Sequence, residues 1–220
     1  MINIAIDGPA GAGKSTIARS LASKLGYIYV DTGALYRAVG VNAMRNGADT
    51  KNAEQVGATL DGADVSLRFV DGEQRVFLGE EDVSVAIRTP EASMAASNVS
   101  AIPAVREFLF DLQRDIAAKN NCIMDGRDIG TVVLPNAQVK IFLTASAEVR
   151  AKRRYDELLA KGMQADYNQV LEEMIQRDYQ DSHRAIAPLK QADDAILVDT
   201  SDMNLEKVLE TLDNIVKENI

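Results

Sequence analysis

The sequence offers little thiol, imidazole or indole chemistry. Its 220 residues include one cysteine, one histidine and no tryptophan. A single cysteine, Cys122, cannot form a disulfide within the chain or supply a cysteine-based metal cluster. The single histidine, His183, has no evident partner in the sequence, so general base catalysis by histidine is not expected.

Long apolar runs and an excess of positive charge are also missing. No run approaches the roughly 20 residues that a membrane helix needs, and no signal-peptide pattern precedes the first predicted strand. The 24 basic residues are outnumbered by 33 acidic ones, which gives a formal charge of −9. Such a surface repels nucleic acid and anionic membranes. We therefore expect a cytoplasmic monomer whose partners are small phosphorylated molecules, with no nucleic-acid or membrane partner.

A phosphate-binding loop lies near the start of the chain. It follows the apolar run Ile4-Ala5-Ile6 and opens a predicted helix that Gly26 ends, which is the context that such a loop requires. Glycines let the backbone approach a phosphate chain, the lysine places a charge on the outer phosphates, and the serine hydroxyl is a predicted Mg²⁺ ligand. The predicted ATP-binding residues are Gly8, Pro9, Ala10, Gly11, Ala12, Gly13, Lys14, Ser15 and Thr16.

The rest of the chain alternates short apolar runs with helical patterns. Five strand candidates separated by helices predict an α/β fold with a five-stranded parallel sheet and helices on both faces. Between them, an alternating pattern around Asp71-Gly72 predicts a β-hairpin. We predict a core of residues 1–60 and 99–220 with a short lid at about 154–167. Residues 61–98 form a predicted inserted domain with its own hairpin, and insertions of this kind often form a movable flap over a site.

Charged residues follow several predicted strands, at the edge of the sheet where ligands bind in open α/β folds. Asp31 or Thr32 is a predicted helix cap, and Arg37 is either a surface arginine or a second phosphate clamp. Another strand is followed by Arg127 and Asp128. Arginines that converge from separate segments suit phosphoryl transfer, in which a protein contributes mainly positioning and positive charge.

Two further clusters leave alternatives open. Arg177, Asp181 and Arg184 have helical spacing, so they form either a salt-bridge ladder or part of a phosphate site. The basic run from Arg150 to Arg154 is typical of a solvated helix face, although a role for Arg150 and Arg154 at the donor nucleotide stays open.

Five motifs together resemble the bacterial cytidylate kinase family of nucleoside monophosphate kinases. They are GPAGAGKST (8–16), DTGALYR (31–37), SNVSAIPAVRE (97–107), DGRDIGTVV (125–133) and RDYQDSHRAIAPL (177–189). The resemblance covers nearly the whole chain, and the last three motifs in this order are specific to the family. It implies transfer of the terminal phosphate of ATP to CMP or dCMP, with Mg²⁺.

The resemblance also implies residue roles. Arg37 and Arg127 would hold the acceptor phosphate, while Ser97, Arg106 and Asp128 would hold the cytosine. Arg177 and Asp181 would contact ribose and phosphate, and Arg184 would stabilise the phosphoryl group in transit. The predicted catalytic residues are Lys14, Arg127, Arg177 and Arg184. The predicted CMP-binding residues are Asp31, Arg37, Ser97, Arg106, Arg127, Asp128, Arg177 and Asp181.

Two rival functions, a small-metabolite kinase and a GTP-dependent switch, fit the sequence less well. A small-metabolite kinase of the shikimate or gluconate type has the same phosphate loop but no base reader. A GTP-dependent switch needs an N-K-x-D guanine reader after a late strand, where this chain has Leu143-Thr144-Ala145-Ser146. We therefore predict a kinase that reads cytosine.

Overall fold

The structure is a computed structural model that describes residues 1–70 and 73–220. The predicted hairpin turn at Asp71-Gly72 lies outside the described residues. The larger sheet has five strands in the order β2-β6-β1-β7-β8, and a smaller sheet has the order β3-β4-β5. The predicted five-stranded sheet with helices and the predicted antiparallel unit are confirmed.

The elements follow the predicted order, with boundaries that shift by a few residues. The strands of the larger sheet are β1 (Asn3–Asp7), β2 (Ile28–Asp31), β6 (Cys122–Gly126), β7 (Val139–Thr144) and β8 (Ile196–Asp199). Those of the smaller sheet are β3 (Val65–Val70), β4 (Glu73–Leu78) and β5 (Glu81–Asp82). The helices are α1 (Lys14–Leu25), α2 (Thr32–Arg45), α3 (Ala53–Ala58), α4 (Pro90–Val99), α5 (Pro103–Lys119), α6 (Ala147–Ala160), α7 (Tyr167–His183) and α8 (Leu205–Asn219).

Three short elements were not predicted from the sequence, and the first is strand β5. A 3₁₀ turn spans Ala86–Arg88, and a π-helical turn spans Ile129–Val133. The π turn directly follows the charged segment after β6. None of the helices in the described ranges 1–70 and 73–220 is long and apolar enough to cross a membrane.

Polar caps explain where several helices begin. Asp31 accepts a hydrogen bond from the Ala34 N–H at the start of α2, at 3.0 Å. Thr89 accepts from the Ala92 N–H before α4, whose first residue is Pro90. Each cap provides an acceptor for one of the N–H groups that the first helical turn leaves without a partner.

Two compact units divide the chain. The first comprises Met1 and residues 28–122, and the second comprises residues 2–27 and 123–220. The first unit has an apolar core in which Leu35, Val39, Val99 and Leu109 are completely buried. The predicted inserted domain at 61–98 is a narrower segment than this unit, and it stays a prediction.

The second unit contains the central strands. Parallel pairing sets Ile4 beside Val139 and Ile6 beside Ile141, and these apolar side chains are buried. Strand β8 pairs with β7 in the same direction. Mainly apolar strands are expected in a parallel sheet covered by helices. Their pairing holds the end of β1 in a fixed position next to the phosphate loop.

Candidate active site

The phosphate loop joins β1 to α1, as predicted. Its tight path needs glycine at defined positions: Gly8 has φ 149°, and a Cβ there would lie 1.9 Å from the Leu143 carbonyl oxygen. Gly13 has φ 89° and immediately precedes α1. The backbone N–H groups at this helix start are the donors that phosphate oxygens need.

Lys14 is the buried cation of the loop. Its Nζ donates to the Pro9 carbonyl oxygen at 2.7 Å, and the side chain is almost inaccessible to solvent. Burial lowers the pKa of Lys14 to about 7, and the nearby positive charge of Arg127 acts in the same direction. The carboxylates of Asp125, Asp7 and Asp181 oppose that shift. The pKa of Lys14 therefore depends on the charges around it, and a bound phosphate chain would change that pKa strongly.

Ser15 pairs with an acidic residue at the end of β6. Its hydroxyl donates to Asp125 Oδ2 at 2.8 Å, and Asp125 is buried. A hydroxyl beside a carboxylate is an oxygen donor set of the kind that Mg²⁺ prefers. Within residues 1–70 and 73–220, no group of three or more histidine, cysteine or acidic side chains could hold a metal ion. The Ser15 hydroxyl and the Asp125 carboxylate fit a divalent cation as oxygen ligands.

The segment after β6 brings predicted residues together within the second unit. Arg127 Nε donates to Asp181 Oδ2 at 2.8 Å, and Arg184 Nη2 donates to Asp128 Oδ1 at 3.2 Å. Burial raises the pKa of Asp181, but the charges of Arg127, Arg177 and Arg184 outweigh that effect and keep the pKa below its ordinary value. Asp181 is therefore an ionised carboxylate that attracts the three arginines around it.

These contacts bear on the two interpretations of Arg177, Asp181 and Arg184. Helix α7 ends at His183, and Arg184 follows it with extended backbone, ψ 144°. Arg184 therefore lies beyond the helix, where it pairs with Asp128, while its charge and that of Arg177 still act on Asp181. The phosphate-site interpretation of this cluster stays a prediction.

The basic run on α6 divides in two. Lys152 is exposed and pairs with Asp156, which confirms the solvated face for this residue, and the half-buried Arg154 pairs with Glu157. Arg150 is buried, so the solvated-face prediction is wrong for this residue.

Arg150 connects three parts of the second unit. Its guanidinium donates to the Ala10 carbonyl oxygen of the phosphate loop at 2.9 Å and to the Ala145 carbonyl oxygen at 2.8 Å. It also makes a two-pronged ion pair with Asp178 on α7. A planar fork with several donors suits such a junction. No local pattern indicates it, because its partners are far apart in the chain.

The first unit holds the remaining predicted residues. Asp31 uses Oδ1 as the cap of α2 and Oδ2 to accept from Arg37 Nη2 at 2.8 Å. Arg37 is therefore oriented by the helix cap. Its Nε is buried and has no hydrogen-bond partner within residues 1–70 and 73–220. A guanidinium with donors to spare is what an anion site requires.

The two base-reading candidates of the first unit lie on consecutive helices. Ser97 is in α4, and Arg106 is near the start of α5. Arg106 is buried, contacts the Ser100 carbonyl oxygen at 3.4 Å and stands 5.9 Å from the centre of the Tyr36 ring. Packing against an aromatic face limits the positions open to a long arginine side chain.

Sequence reasoning missed Asp7 altogether. Asp7 is the last residue of β1, is buried, and accepts hydrogen bonds from the N–H groups of Ile129 and Gly130. A carboxylate that ends an apolar strand directly before a phosphate loop was a visible signal. Its partners lie more than a hundred residues away, which no local pattern indicates.

The fold and these clusters define a phosphate-loop phosphotransferase with arginines and carboxylates grouped after β6. Residues 4–218 match the cytidylate kinase family model, and the chain belongs to that family. This finding confirms the predicted family, the predicted class of enzyme and the predicted reaction, phosphoryl transfer from ATP to CMP or dCMP.

Individual relatives agree with this family. A cytidylate kinase of Caldicellulosiruptor bescii is 54% identical over 209 residues, which cover 95% of this chain and 92% of that protein. A cytidylate kinase of Carboxydothermus hydrogenoformans is 51% identical over 98% of this chain and 97% of its own. The crystal structure of an uncharacterized protein from Eubacterium ventriosum matches 99% of both chains with a TM-score of 0.55. At 12% identity, that last likeness concerns the fold alone.

Proposed function

We propose that this chain carries out its family's reaction with the residues predicted from the sequence, and that Mg²⁺ accompanies ATP. The products are ADP and CDP or dCDP. The observation that carries the proposal is the phosphate loop with its buried Lys14, within a chain that matches the cytidylate kinase family over residues 4–218. The rival small-metabolite kinase is set aside because the family match includes the motifs of the base reader.

The donor phosphates bind the loop from Gly8 to Thr16. Backbone N–H groups surround the phosphate chain, and Lys14 exchanges its contact with the Pro9 carbonyl for phosphate oxygens. Ser15, supported by Asp125, would hold Mg²⁺, which supplies positive charge to the phosphates when bound. This role follows from the donor set and from the family's chemistry.

The acceptor phosphate is assigned to Arg37 and Arg127. Both guanidinium groups are already oriented by a carboxylate, Asp31 for the first and Asp181 for the second. Pre-oriented forks bind phosphate with little further loss of side-chain freedom. Arg177 and Asp181 are assigned to ribose and phosphate, and Arg184 to the phosphoryl group in transit.

The acceptor base is assigned to Ser97, Arg106 and Asp128. Cytosine presents an amino donor beside ring N3 and O2 acceptors, so its reader needs one acceptor and neighbouring donors. Asp128 is buried, so its carboxylate favours a base that presents a hydrogen-bond donor over one that presents an acceptor. Uracil has an oxygen in place of the amine and would set two acceptors against each other.

The reaction needs no covalent intermediate on the protein. An oxygen of the acceptor phosphate attacks the terminal phosphate of ATP directly, while lysine and arginine charges stabilise the group in flight. We propose that the inserted domain at 61–98 and the lid at about 154–167 close over the substrates and exclude water. The cytoplasmic location and the monomeric state stay predictions.

The base assignment is tested with Asp128→Asn, assayed with CMP and UMP under otherwise identical conditions. Replacing the carboxylate by an amide supplies a donor to the uracil oxygen and removes acceptor capacity from cytosine. We expect the preference for CMP over UMP to fall by about 10- to 100-fold in kcat/KM, with KM for ATP almost unchanged. An unchanged preference would refute the role of Asp128.

A further inference from the structure

Asp7 has no role in the mechanism described so far, yet it is one of the most deeply buried carboxylates in the chain. Its side chain is 4% exposed. Burying a carboxylate costs free energy unless hydrogen-bond donors surround it. The hydrogen bonds that Asp7 accepts at the end of β1 therefore indicate what this residue does.

Both oxygens of Asp7 are occupied by one short segment of backbone. Oδ1 accepts from the Ile129 N–H at 2.8 Å, and Oδ2 accepts from the Gly130 N–H at 2.7 Å. Two successive N–H groups thus point at one carboxylate, which fixes the backbone of that segment in both position and direction.

The segment held by Asp7 begins immediately after Asp128. The Asp128 carbonyl oxygen accepts from the N–H groups of Val132 and Val133, at 2.9 and 3.2 Å, in the π turn Ile129–Val133. Such a turn is uncommon and often occurs at functional sites. Asp7 therefore anchors the first two residues of the turn that carries Asp128 at its start.

Space around this anchor is limited. A Cβ on Gly130 would lie 3.3 Å from Asp7 Oδ2 and 3.2 Å from Lys140 Cδ. The backbone of the turn thus approaches β1 and β7 more closely than a residue with a side chain allows without a shift. The carboxylate of Asp128 is in turn paired with Arg184 at 3.2 Å.

We propose that Asp7 is a positioning residue for substrate selection: by holding the Ile129 and Gly130 N–H groups, it sets the orientation in which Asp128 meets the acceptor base. This inference rests on the proposed role of Asp128 in reading cytosine. Asp7 itself touches neither substrate in this account. Displacements of about 1 Å in a binding group change turnover by up to about 100-fold, which is why a rigid anchor matters.

The alternative is that Asp7 serves only the stability of the fold. Selectivity separates the two roles, because a purely structural carboxylate affects the amount of folded protein but not the choice between CMP and UMP. Asp7→Asn is the informative substitution. An amide keeps the shape and one acceptor, but it turns an NH₂ group toward one of the two N–H donors.

The experiment measures kcat/KM of Asp7→Asn for CMP and UMP, together with KM for ATP. We expect the CMP preference to fall by about 10- to 100-fold, and this ratio cancels any change in ATP binding caused by removing the Asp7 charge near Lys14. The matched control is Asp213→Asn, which alters a buried carboxylate on α8 that pairs with Lys24 and Lys217. The control should lower stability without moving the preference.

Gly130→Ala provides a second route to the same segment if Asp7→Asn does not fold. Its added methyl group presses on Asp7 and Lys140, so it should lower the CMP preference in the same direction. An unchanged preference in either folded variant would overturn the proposal.

The double variant Asp7→Asn with Asp128→Asn tests whether Asp7 acts through Asp128. In that case the double variant has the same CMP preference as Asp128→Asn alone, because effects on one shared function are not additive. Effects that multiply would assign Asp7 an independent role and overturn the proposal. If Asp128→Asn alone leaves the preference unchanged, the base assignment itself fails, and the inference about Asp7 fails with it.

Discussion

Lys14 should take up a proton when ATP binds. In the free protein, burial and the neighbouring Arg127 hold the pKa of Lys14 at about 7. A bound phosphate chain adds several negative charges next to the ammonium group, which favours its charged form. The pKa of Lys14 should then return to its ordinary value of about 10.4 or above.

The size of the effect follows from these two pKa values. With a pKa of about 7, only about a tenth of the lysine is protonated at pH 8, and nearly all of it is protonated once the pKa exceeds about 10. Binding at pH 8 should therefore take up about 0.9 proton, whereas at pH 6 the uptake by this residue should fall to about 0.1.

Calorimetric titration with ATP, without an acceptor, measures this number directly. The observed enthalpy is recorded in buffers of low and high ionisation enthalpy, and its dependence on that enthalpy gives the protons taken up. Lys14→Arg is the matched control, because arginine stays protonated throughout this pH range. Uptake below about 0.2 proton at pH 8, or equal uptake in Lys14→Arg, would refute the assigned environment of Lys14.

Three further predictions concern base reading, the loop and pH. Arg106→Ala should lower kcat/KM for CMP by about 10- to 100-fold through loss of charged hydrogen bonds, with KM for ATP unchanged. The control Arg114→Ala, at an exposed position on the same helix, should alter neither constant. Equal effects of the two variants would contradict the assignment of Arg106 to the base. Gly8→Ala should abolish transfer in a phosphoryl-transfer assay, because its methyl group would overlap the Leu143 carbonyl, whereas Gly57→Ala, which meets no atom within 4 Å, should retain full activity. Burial raises the pKa of Asp7 to about 6 from 3.8, so protonation of this group favours the folded state. Its contribution is present in full below about pH 4 and is lost as the pH rises through about 6. The free energy of unfolding of Asp7→Asn relative to the unaltered protein should therefore increase by about 1.4 kcal/mol between about pH 5 and pH 7.5 in urea titrations. A difference in unfolding free energy that does not change with pH would contradict a pKa of about 6 for Asp7.

The phosphate loop and the central strands were predictable because local patterns specify them. An apolar strand, the spaced glycines and a helix follow each other without interruption, and the predicted run Ile4-Ala5-Ile6 lies within β1. The apolar run alone was enough there, because both faces of the strand are covered.

The elements that sequence reasoning missed depend on distant partners. Strand β5 has two charged residues, Glu81–Asp82, and exists because β4 pairs with it. The π turn Ile129–Val133 has no distinctive periodicity, and the carboxylate that holds it belongs to β1. Neither has a signal within its own segment.

Arg150 shows the same limit for side chains. Its neighbour Lys152 is exposed, Arg154 is half-buried, and a basic helical run indicates a solvated face. Arg150 is buried because Asp178, 28 residues further along the chain, neutralises it beside the phosphate loop. Spacing along one helix cannot reveal an ion pair between two helices.

The central claim, phosphoryl transfer from ATP to a cytosine nucleotide, is tested most directly by one assay of ADP release. ATP and Mg²⁺ are offered with CMP, dCMP, UMP, AMP or shikimate as the only acceptor. The account predicts strong turnover with CMP and dCMP alone. Turnover with UMP or shikimate but not with CMP would leave the phosphate loop in place and contradict the assignment of Ser97, Arg106 and Asp128 to the base.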